Sequence, residues 1–233
     1  MNDYNILVID DEIEIVELIE VYLTNEGYKV YKAYNGEEGL KILDNEKIYL
    51  VILDIMMPGI DGLAVCRKIR STLNIPIIML SAKSQDMDKI LGLSTGADDY
   101  MVKPFNPMEL IARIKSQLRR YLYLNSQIKV NENTDILEFK GVKINKKNHK
   151  VLVFDNEVNL TPTEYEILIL LAENPGIVFS GEDIFKSVWK EKYFEGNNTV
   201  MVHIWRLREK IEQTPKEPKI LETVWGVGYK IEK

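Results

Sequence analysis

The sequence predicts an α/β protein in which a doubly wound, five-stranded parallel sheet precedes a smaller α+β unit. Strand-like apolar runs and helical segments alternate five times over roughly the first 120 residues, which is typical of such a sheet. Short alternating strands then precede three helices with clear start signals and a glycine-containing hairpin. These two patterns predict two domains of different architecture.

Composition restricts the kind of protein. The chain has 233 residues, 45% hydrophobic and 28% charged, which is enough for two cores, and its net charge of −6 means that nucleic-acid binding must depend on local clusters. We expect no membrane association, because no apolar run approaches the roughly 20 residues needed to cross a bilayer and Asn2-Asp3 do not suit a signal peptide. A single cysteine, Cys66, excludes an internal disulfide and favours a cytoplasmic location.

The elements of the first half follow from apolar runs, caps and breakers. Val51, Ile52 and Leu53 form an unbroken apolar run, as in a strand buried on both faces, and Asn35 is a good helix N-cap. The remaining predicted elements, in chain order, are a strand at 5–9, a helix ending before Gly27, a strand at 30–31, a helix through about Leu73, a strand at 76–80, a helix at about 85–95, a strand at 100–102 and a helix from Pro107 through Arg120.

Chemically active side chains follow four of these strands. Asp10 and Asp11 follow the first, Asp54 the third, Ser81 the fourth and Lys103 the fifth, so parallel strands bring them to one crevice. Three carboxylates this close require a cation, and hard oxygen ligands favour Mg²⁺. With a fixed lysine charge and a hydroxyl donor, the set suits attack by the Asp54 carboxylate on phosphorus to give an aspartyl phosphate.

The first half resembles the receiver domain of two-component response regulators, which has a flavodoxin/CheY-like fold. The resemblance is carried by Asp10-Asp11, residues 52–59 (Ile-Leu-Asp-Ile-Met-Met-Pro-Gly), Ser81, Tyr100 and residues 103–105. It implies that Asp54 accepts phosphate from a sensor histidine kinase. It also implies that Asp11, Asp54 and the backbone carbonyl of Met56 hold Mg²⁺ while Asp10 acts through water, and that the Lys103–Pro104 bond is cis. Ser81 and Tyr100 would form a switch pair; the alternative for Tyr100 is a strand residue packed on a helix.

The resemblance also implies a dimer face, because in the OmpR/PhoB-type subfamily complementary charges pair between two chains. The matching pairs here are Lys89 with Glu109, Asp99 with Arg113, and Asp98 with Arg120. Three complementary pairs on one face favour a symmetric contact, which we expect to form on phosphorylation.

The third helix of the second half is the candidate DNA reader. Val200, Ile204, Leu207 and Ile211 form an apolar stripe that must face the core. We expect Val202, Trp205 and Arg206 on the opposite side, where an apolar contact and a donor would suit the major groove. The alternatives are a contact with a partner protein, or a Trp205 ring folded back onto a neighbouring element.

The second half resembles the winged-helix DNA-binding domain of the OmpR/PhoB subfamily. The resemblance is carried by residues 160–166, 199–200, 202–204, 206–208 and 226–229, and the final hairpin is similar to that of VanR-like glycopeptide-resistance regulators. It implies base contacts by Val202 and Arg206 and phosphate contacts by Thr199, His203 and Arg208. The expected DNA-contact set is Asn198, Thr199, Val202, His203, Trp205, Arg206, Arg208 and Trp225. Trp205 and Trp225 stand where relatives often carry Arg, which disfavours a minor-groove contact by the final hairpin and predicts a weaker salt dependence than that of a more basic relative.

The sequence is therefore interpreted as a transcription factor controlled by phosphorylation, not an enzyme. The expected domains are a receiver at 1–120, a linker at 121–131 and a winged helix at 132–233, with a histidine kinase, promoter DNA and RNA polymerase as partners. An aspartate-nucleophile phosphatase is one alternative, although the second acid such enzymes carry is replaced by Met56. A receiver that acts only as a protein-interaction switch, or a regulator that works unphosphorylated, are the others.

Overall fold

The computed structural model describes residues 4–82, 95–125, 136–190 and 199–232, in two compact units that divide after Tyr121. The first unit contains one parallel sheet in the order β2-β1-β3-β4-β5, which confirms the predicted architecture. Its strands are β1 (Asn5–Ile9), β2 (Lys29–Ala33), β3 (Leu50–Asp54), β4 (Ile77–Ser81) and β5 (Asp99–Val102). The helix expected at about 85–95 lies, apart from its last residue, outside the described residues.

Burial explains why the central strands are continuous apolar runs. Every residue of β3 and β4 is buried, so both faces of the sheet are covered there. Strand β2 lies at the sheet edge, and only Ala33 among its residues is fully buried. The register aligns Asp54 with Leu80 and Ser81 with Val102, so the carboxyl ends of neighbouring strands meet at one edge.

Two helices of the first unit, those that begin at Gly36 and Gly62, start at side-chain caps. Asn35 accepts a hydrogen bond from the Glu38 N–H, as predicted, and Asp61 accepts one from Ala64. The last helix continues to Asn125, beyond the expected end at Arg120, because no helix breaker intervenes and the Tyr121 ring packs edge-on against Tyr49. The helices are α1 (Ile13–Asn25), α2 (Gly36–Asn45), α3 (Gly62–Arg70) and α4 (Pro107–Asn125).

The second unit combines an antiparallel sheet, three helices and a hairpin. The sheet contains β6 (Ile136–Phe139), β7 (Val142–Asn145), β8 (Lys150–Val153) and β9 (Asn156–Val158) in sequential order. The helices are α5 (Pro162–Glu173), α6 (Gly181–Trp189) and α7 (Thr199–Ile211), and the hairpin pairs β10 (Leu221–Val224) with β11 (Gly228–Ile231). One hydrophobic core connects the sheet, the helices and the hairpin, and the predicted stripe of α7 is buried in it.

Local signals place most of these elements correctly. Capping boxes begin both α5 and α6, at Thr161 with Glu164 and at Ser180 with Asp183. The turn between β8 and β9 is at Phe154 and Asp155. Both turn residues have positive φ, as this tight hairpin turn requires.

The hairpin is anchored to the loop before α6. Phe179 and Tyr229 exchange two backbone hydrogen bonds of 2.9 Å, which extends the hairpin by a short bridge. A Cβ at Gly228 would lie 2.0 Å from the Phe179 carbonyl oxygen, so glycine is required there. Among the described residues, no helix is both long and apolar enough to cross a bilayer.

Candidate functional site

Three carboxylates meet at the carboxyl edge of the parallel sheet. Oxygen atoms of Asp10, Asp11 and Asp54 all lie within 4.8 Å of one another. Asp10 and Asp54 are buried, whereas Asp11 is exposed. The three aspartates lie at the carboxyl ends of β1 and β3, which are adjacent in the sheet. A cluster of hard oxygen donors with one exposed member suits Mg²⁺ and leaves a side open for water or a phosphoryl group.

Lys103 provides the positive charge of the cluster. Its ammonium nitrogen lies 2.8 Å from Asp10 Oδ2 and 2.8 Å from Asp54 Oδ1. It also lies 2.9 Å from Glu12 Oε1, a contact that the sequence analysis did not anticipate. Glu12 follows Asp10 and Asp11 directly, and its place as a third acid in this run was the only sequence feature that indicated a role at the site.

Burial and pairing act in opposite directions on the ionisable groups. Burial raises the pKa of Asp10, and hydrogen bonds from Lys103 and from the Glu12 N–H oppose it. Burial lowers the pKa of Lys103, but hydrogen bonds to Asp10, Asp54 and Glu12 outweigh it, so its pKa lies above the ordinary value. Lys103 is therefore a permanent cation and not a proton donor near neutral pH.

Backbone contacts hold Asp54 in place. Its Oδ2 accepts a 2.6 Å hydrogen bond from the Met56 N–H, so the carboxylate is fixed by the turn that follows β3. Gly62, the first residue of α3, approaches so closely that an added Cβ would lie 2.0 Å from the Asp54 carbonyl oxygen. No local pattern in the sequence marks Gly62 as part of this site.

The two expected switch residues lie on adjacent strands. Ser81 ends β4 and is completely buried, and its carbonyl oxygen accepts a 2.7 Å hydrogen bond from the Lys103 N–H. Tyr100, in β5, is also buried. The peptide bond between Lys103 and Pro104 is cis, as the resemblance implied.

Asp98 and Arg120, an expected pair on the dimer face, are both buried within their own chain. Asp98 is completely buried, and its Oδ2 lies 2.6 Å from Arg70 Nη2 and 3.0 Å from the Ile77 nitrogen. Arg120 is also buried and donates a 2.8 Å hydrogen bond to Gln117. A pair between Asp98 and Arg120 of two chains stays a prediction, and its formation would require Asp98 to share or leave its contact with Arg70 of α3.

Arg113 likewise pairs within its own chain. It contacts both carboxylate oxygens of Asp99 at 2.9 Å and also binds Glu109, one helical turn earlier. The expected contact between Asp99 of one chain and Arg113 of another is thus made inside one chain. Lys89, the expected partner of Glu109, lies outside the described residues.

The exposed side of α7 differs from the expected one. Val202 is 4% exposed and Arg206 is 6% exposed, so neither is the outward residue that the sequence analysis placed there. Met201 and Trp205 are 48% and 41% exposed, and Glu209 is also exposed. These three residues are four positions apart in the sequence, so they form a narrow stripe along one side of the helix, which we call the α7 exposed stripe.

A buried ion network explains the position of Arg206. Its Nη2 lies 2.9 Å from Oε1 of Glu164, and Lys210 Nζ lies 2.7 Å from the other oxygen. Burial would raise the pKa of Glu164, but the charges of Arg206 and Lys210 and hydrogen bonds from Lys210 and the Thr161 N–H lower it to about 2. Val202, one turn before Arg206, shares this buried side.

The other residues expected to contact DNA phosphates are buried or form hydrogen bonds within the second unit. Thr199 and His203 are buried, and the His203 ring lies 5.5 Å from that of Trp189, so the structure does not place them at the surface. Asn198 lies outside the described residues. Arg208 donates to the Leu221 carbonyl at 2.7 Å and to Thr223 Oγ1 at 2.7 Å, which ties α7 to β10.

Comparison with known families assigns both units. Residues 6–115 match the family described as "Response regulator receiver domain". Residues 155–231 match the family described as "Transcriptional regulatory protein, C terminal". The second match sets aside the alternative of a receiver that acts only as a protein-interaction switch.

Similar proteins match this chain over nearly its whole length. The regulatory protein VanR of Enterococcus faecium is 50% identical over 229 residues, with 98% of each chain covered. The transcriptional regulatory protein SrrA of Staphylococcus aureus (strain NCTC 8325 / PS 47) is 41% identical over 228 residues, covering 97% of this chain and 95% of SrrA. Among solved structures, the response regulator DrrB of Thermotoga maritima, an OmpR/PhoB homolog, is 33% identical with a TM-score of 0.52, covering 99% of this chain and all of DrrB.

Proposed function

The chain belongs to the response regulators of two-component systems, with a receiver domain followed by an OmpR/PhoB-type DNA-binding domain, and on this premise we propose that Asp54 accepts the phosphoryl group. It is a transcription regulator and not an enzyme with a separate substrate. The observation that supports Asp54 is its position, buried at the sheet edge and 2.8 Å from the Lys103 ammonium.

The proposed reaction transfers a phosphoryl group from a histidine of a sensor kinase. A carboxylate oxygen of Asp54 attacks phosphorus, the phosphorus–nitrogen bond breaks, and the leaving imidazole takes up a proton. Lys103 stabilises the negative charge on the phosphoryl oxygens as they enter, and the Met56 N–H holds the second carboxylate oxygen of Asp54 in position.

The donor set fits a bound Mg²⁺. We propose that Asp11, Asp54 and the backbone carbonyl of Met56 hold the ion, with Asp10 contributing through water; the oxygen cluster of the three aspartates supports this choice. When bound, Mg²⁺ would neutralise charge on the carboxylates and phosphoryl oxygens. Because Lys103 already contacts Asp10 and Asp54, ion binding must share these oxygens with the ammonium group.

Ser81 and Tyr100 are proposed to convert phosphorylation into a change of receiver shape, since Ser81 ends β4, which pairs with the Asp54 strand, and Tyr100 lies in β5, which leads to Lys103. The resulting conformation would favour a homodimer through the receiver. The in-chain pairs of Asp99 with Arg113 and of Arg113 with Glu109 would compete with contacts between chains. Dimerisation raises the local concentration of the second DNA-binding domain, so two adjacent half-sites are bound more tightly.

The α7 exposed stripe is the surface that we propose for reading bases. Trp205 and Met201 offer apolar contact to thymine methyl groups, and Glu209 is an acceptor for the cytosine amino group. Arg206 is proposed to position the helix through Glu164, and Arg208 to position the hairpin. We also propose that the protein acts in the cytoplasm and that the DNA-bound dimer contacts RNA polymerase.

Phosphoryl acceptance is tested by intact-mass measurement of the full chain after incubation with Mg²⁺ and acetyl phosphate. The wild-type protein should gain one phosphoryl group, and Asp54→Ala should gain none. Asp44→Ala, which removes an exposed carboxylate of α2, is the matched control and should be labelled like the wild type. Labelling of Asp54→Ala equal to that of the wild type would show that another residue is the acceptor.

A further inference from the structure

Glu12 begins α1 but its side chain does not cap the helix. Serine, threonine, asparagine and aspartate are the usual N-cap residues, because their short side chains accept hydrogen bonds from the first N–H groups. The side chain of Glu12 makes no such bond, although the residue occupies the N-cap position with an extended backbone. Its carboxylate instead lies 2.9 Å from the ammonium group of Lys103, which is 91 residues further along the chain. Helix capping therefore does not account for this side chain.

Glu12 differs in exposure from the other two carboxylates that contact Lys103. Its side chain is 58% exposed, whereas those of Asp10 and Asp54 are 0% and 3% exposed. In the described part of the chain, the cluster of carboxylate oxygens within 4.8 Å of one another, which the three aspartates form, does not include Glu12. Glu12 thus contacts the cation of the site from outside the set of expected metal ligands.

Lys103 can change partners without a movement of its backbone. Its N–H donates a 2.7 Å hydrogen bond to the Ser81 carbonyl, which holds the main chain just after β5. The ammonium group lies 2.8 to 2.9 Å from oxygens of Asp10, Asp54 and Glu12 at the same time. Lysine carries this group on a flexible four-carbon stem. A shift of the ammonium group toward Glu12 therefore requires only side-chain rotation.

A divalent cation at the aspartates would change which carboxylate Lys103 prefers. Magnesium takes carboxylate oxygens as ligands, and Lys103 now contacts oxygens of Asp10 and Asp54. Two positive groups on the same oxygens repel each other, so the ammonium group is favoured to withdraw from them. Glu12 already contacts the ammonium group, so it can keep Lys103 neutralised after that withdrawal.

We propose that Glu12 is a positioning residue that accepts the Lys103 ammonium group when Mg²⁺ binds, so that the lysine and the ion do not compete for the oxygens of Asp54. This inference rests on the proposed magnesium site and adds to it a residue that acts through Lys103. Held by Glu12, the ammonium group stays beside the site where a phosphoryl group enters, while the carboxylate of Asp54 becomes available.

The test measures the dissociation constant for Mg²⁺ of the isotope-labelled full-length chain, from the NMR shift of the Met56 N–H at constant ionic strength. This N–H is a suitable reporter because it donates to Asp54 Oδ2. Glu12→Gln should weaken Mg²⁺ binding about three- to fivefold, the range expected for a partly exposed ion pair. Glu14→Gln removes another exposed acid, in the first turn of α1, and is the matched control for net charge. It should change the affinity less than about 1.5-fold, because salt screens a charge that does not contact the site.

A double-mutant cycle separates an effect through Lys103 from a direct effect on the ion. In the Lys103→Ala chain, the additional Glu12→Gln change should alter Mg²⁺ binding no more than Glu14→Gln does, because the group that Glu12 holds is absent. Labelling by acetyl phosphate gives a second readout. Glu12→Gln should raise the Mg²⁺ concentration that gives half the maximal rate about three- to fivefold, while the rate at saturating Mg²⁺ stays within about twofold of the wild type.

Equal Mg²⁺ affinities of Glu12→Gln and Glu14→Gln would overturn the inference. A loss of affinity that persists when Glu12→Gln is combined with Lys103→Ala would also overturn it, because Glu12 would then act on the ion directly. Labelling of Glu12→Gln that stays slow at saturating Mg²⁺ would place Glu12 in the phosphoryl transfer and refute the positioning role. If the wild-type chain binds no Mg²⁺ at millimolar concentration, the proposed magnesium site itself fails.

Discussion

Removing the buried carboxylate of Glu164 should strongly destabilise the second unit. We consider Glu164→Gln, which keeps the size of the side chain and removes its charge. The carboxylate is completely buried against Arg206 and Lys210, so the substitution leaves two cations with an amide in place of their counterion. Removal of one partner from a buried ion pair typically costs about 3–5 kcal/mol.

The pKa gives an independent estimate of the same stabilisation. The pKa of Glu164 falls from its ordinary 4.5 to about 2 on folding, and each pKa unit corresponds to about 1.4 kcal/mol, so the ionised carboxylate contributes about 3 kcal/mol. Because the folded pKa is lower than the unfolded one, this contribution is complete above pH 4.5 and disappears as the pH falls toward 2. At pH 3 roughly 1 kcal/mol should remain.

Urea unfolding followed by tryptophan fluorescence is the appropriate assay. All three tryptophans, Trp189, Trp205 and Trp225, lie in the second unit, so the signal reports that unit alone. At pH 7 the midpoint of Glu164→Gln should fall by about 2 M urea, and its difference in unfolding free energy from wild type should shrink by about 2 kcal/mol at pH 3.

Glu173→Gln is the control for charge removal on the same helix. Glu173 pairs with Lys146 at 3.1 Å on a half-exposed surface, so this variant should lose less than about 1 kcal/mol at any pH. Equal midpoints for Glu164→Gln and wild type at pH 7 would refute the reasoning, as would a difference between them that does not change down to pH 3.

Three further predictions concern the receiver. Lys103→Ala should lower the thermal midpoint measured by circular dichroism without Mg²⁺, because the buried carboxylates of Asp10 and Asp54 lose their counterion. Millimolar Mg²⁺ should then raise the midpoint of this variant more than that of the wild type. Equal increases in the two proteins would argue against a site shared by Lys103 and Mg²⁺. Gly62→Ala should slow labelling by acetyl phosphate at least about tenfold, because its Cβ must displace the Asp54 backbone, and labelling at the wild-type rate would contradict that geometry. Arg70→Ala should destabilise the receiver by about 3 kcal/mol in urea, since Asp98 is left buried without its cation, whereas a loss below about 1 kcal/mol would mean that another group compensates.

The sequence was sufficient to predict the parallel sheet and the residues at its carboxyl edge. Unbroken apolar runs of this length are too short for a helix, and each acid stands at the end of its strand or directly after it, so position along the chain determines position in space. The capping boxes of α5 and α6 were predictable for the same reason, because their donors and acceptors are three residues apart.

The errors concern side chains whose partners are distant in the sequence. Helical spacing places Arg206 away from the core stripe, but Glu164 at the start of α5 draws it inward. The contact of Asp98 with Arg70, which comes from another helix, was likewise not predicted. The close approach of Gly62 to Asp54 depends on the angle at which α3 leaves the strand, which no local pattern specifies.

The link between Arg208 and the first strand of the hairpin has a consequence for the DNA sequences that this regulator can use. Helix and hairpin are joined by two hydrogen bonds to the Leu221 carbonyl and by one to Thr223, so they must approach the double helix as a single rigid body. The separation between the base pairs beneath each element is then set by the protein. A single inserted base pair within a half-site should therefore be tolerated far less than a substitution at the same place.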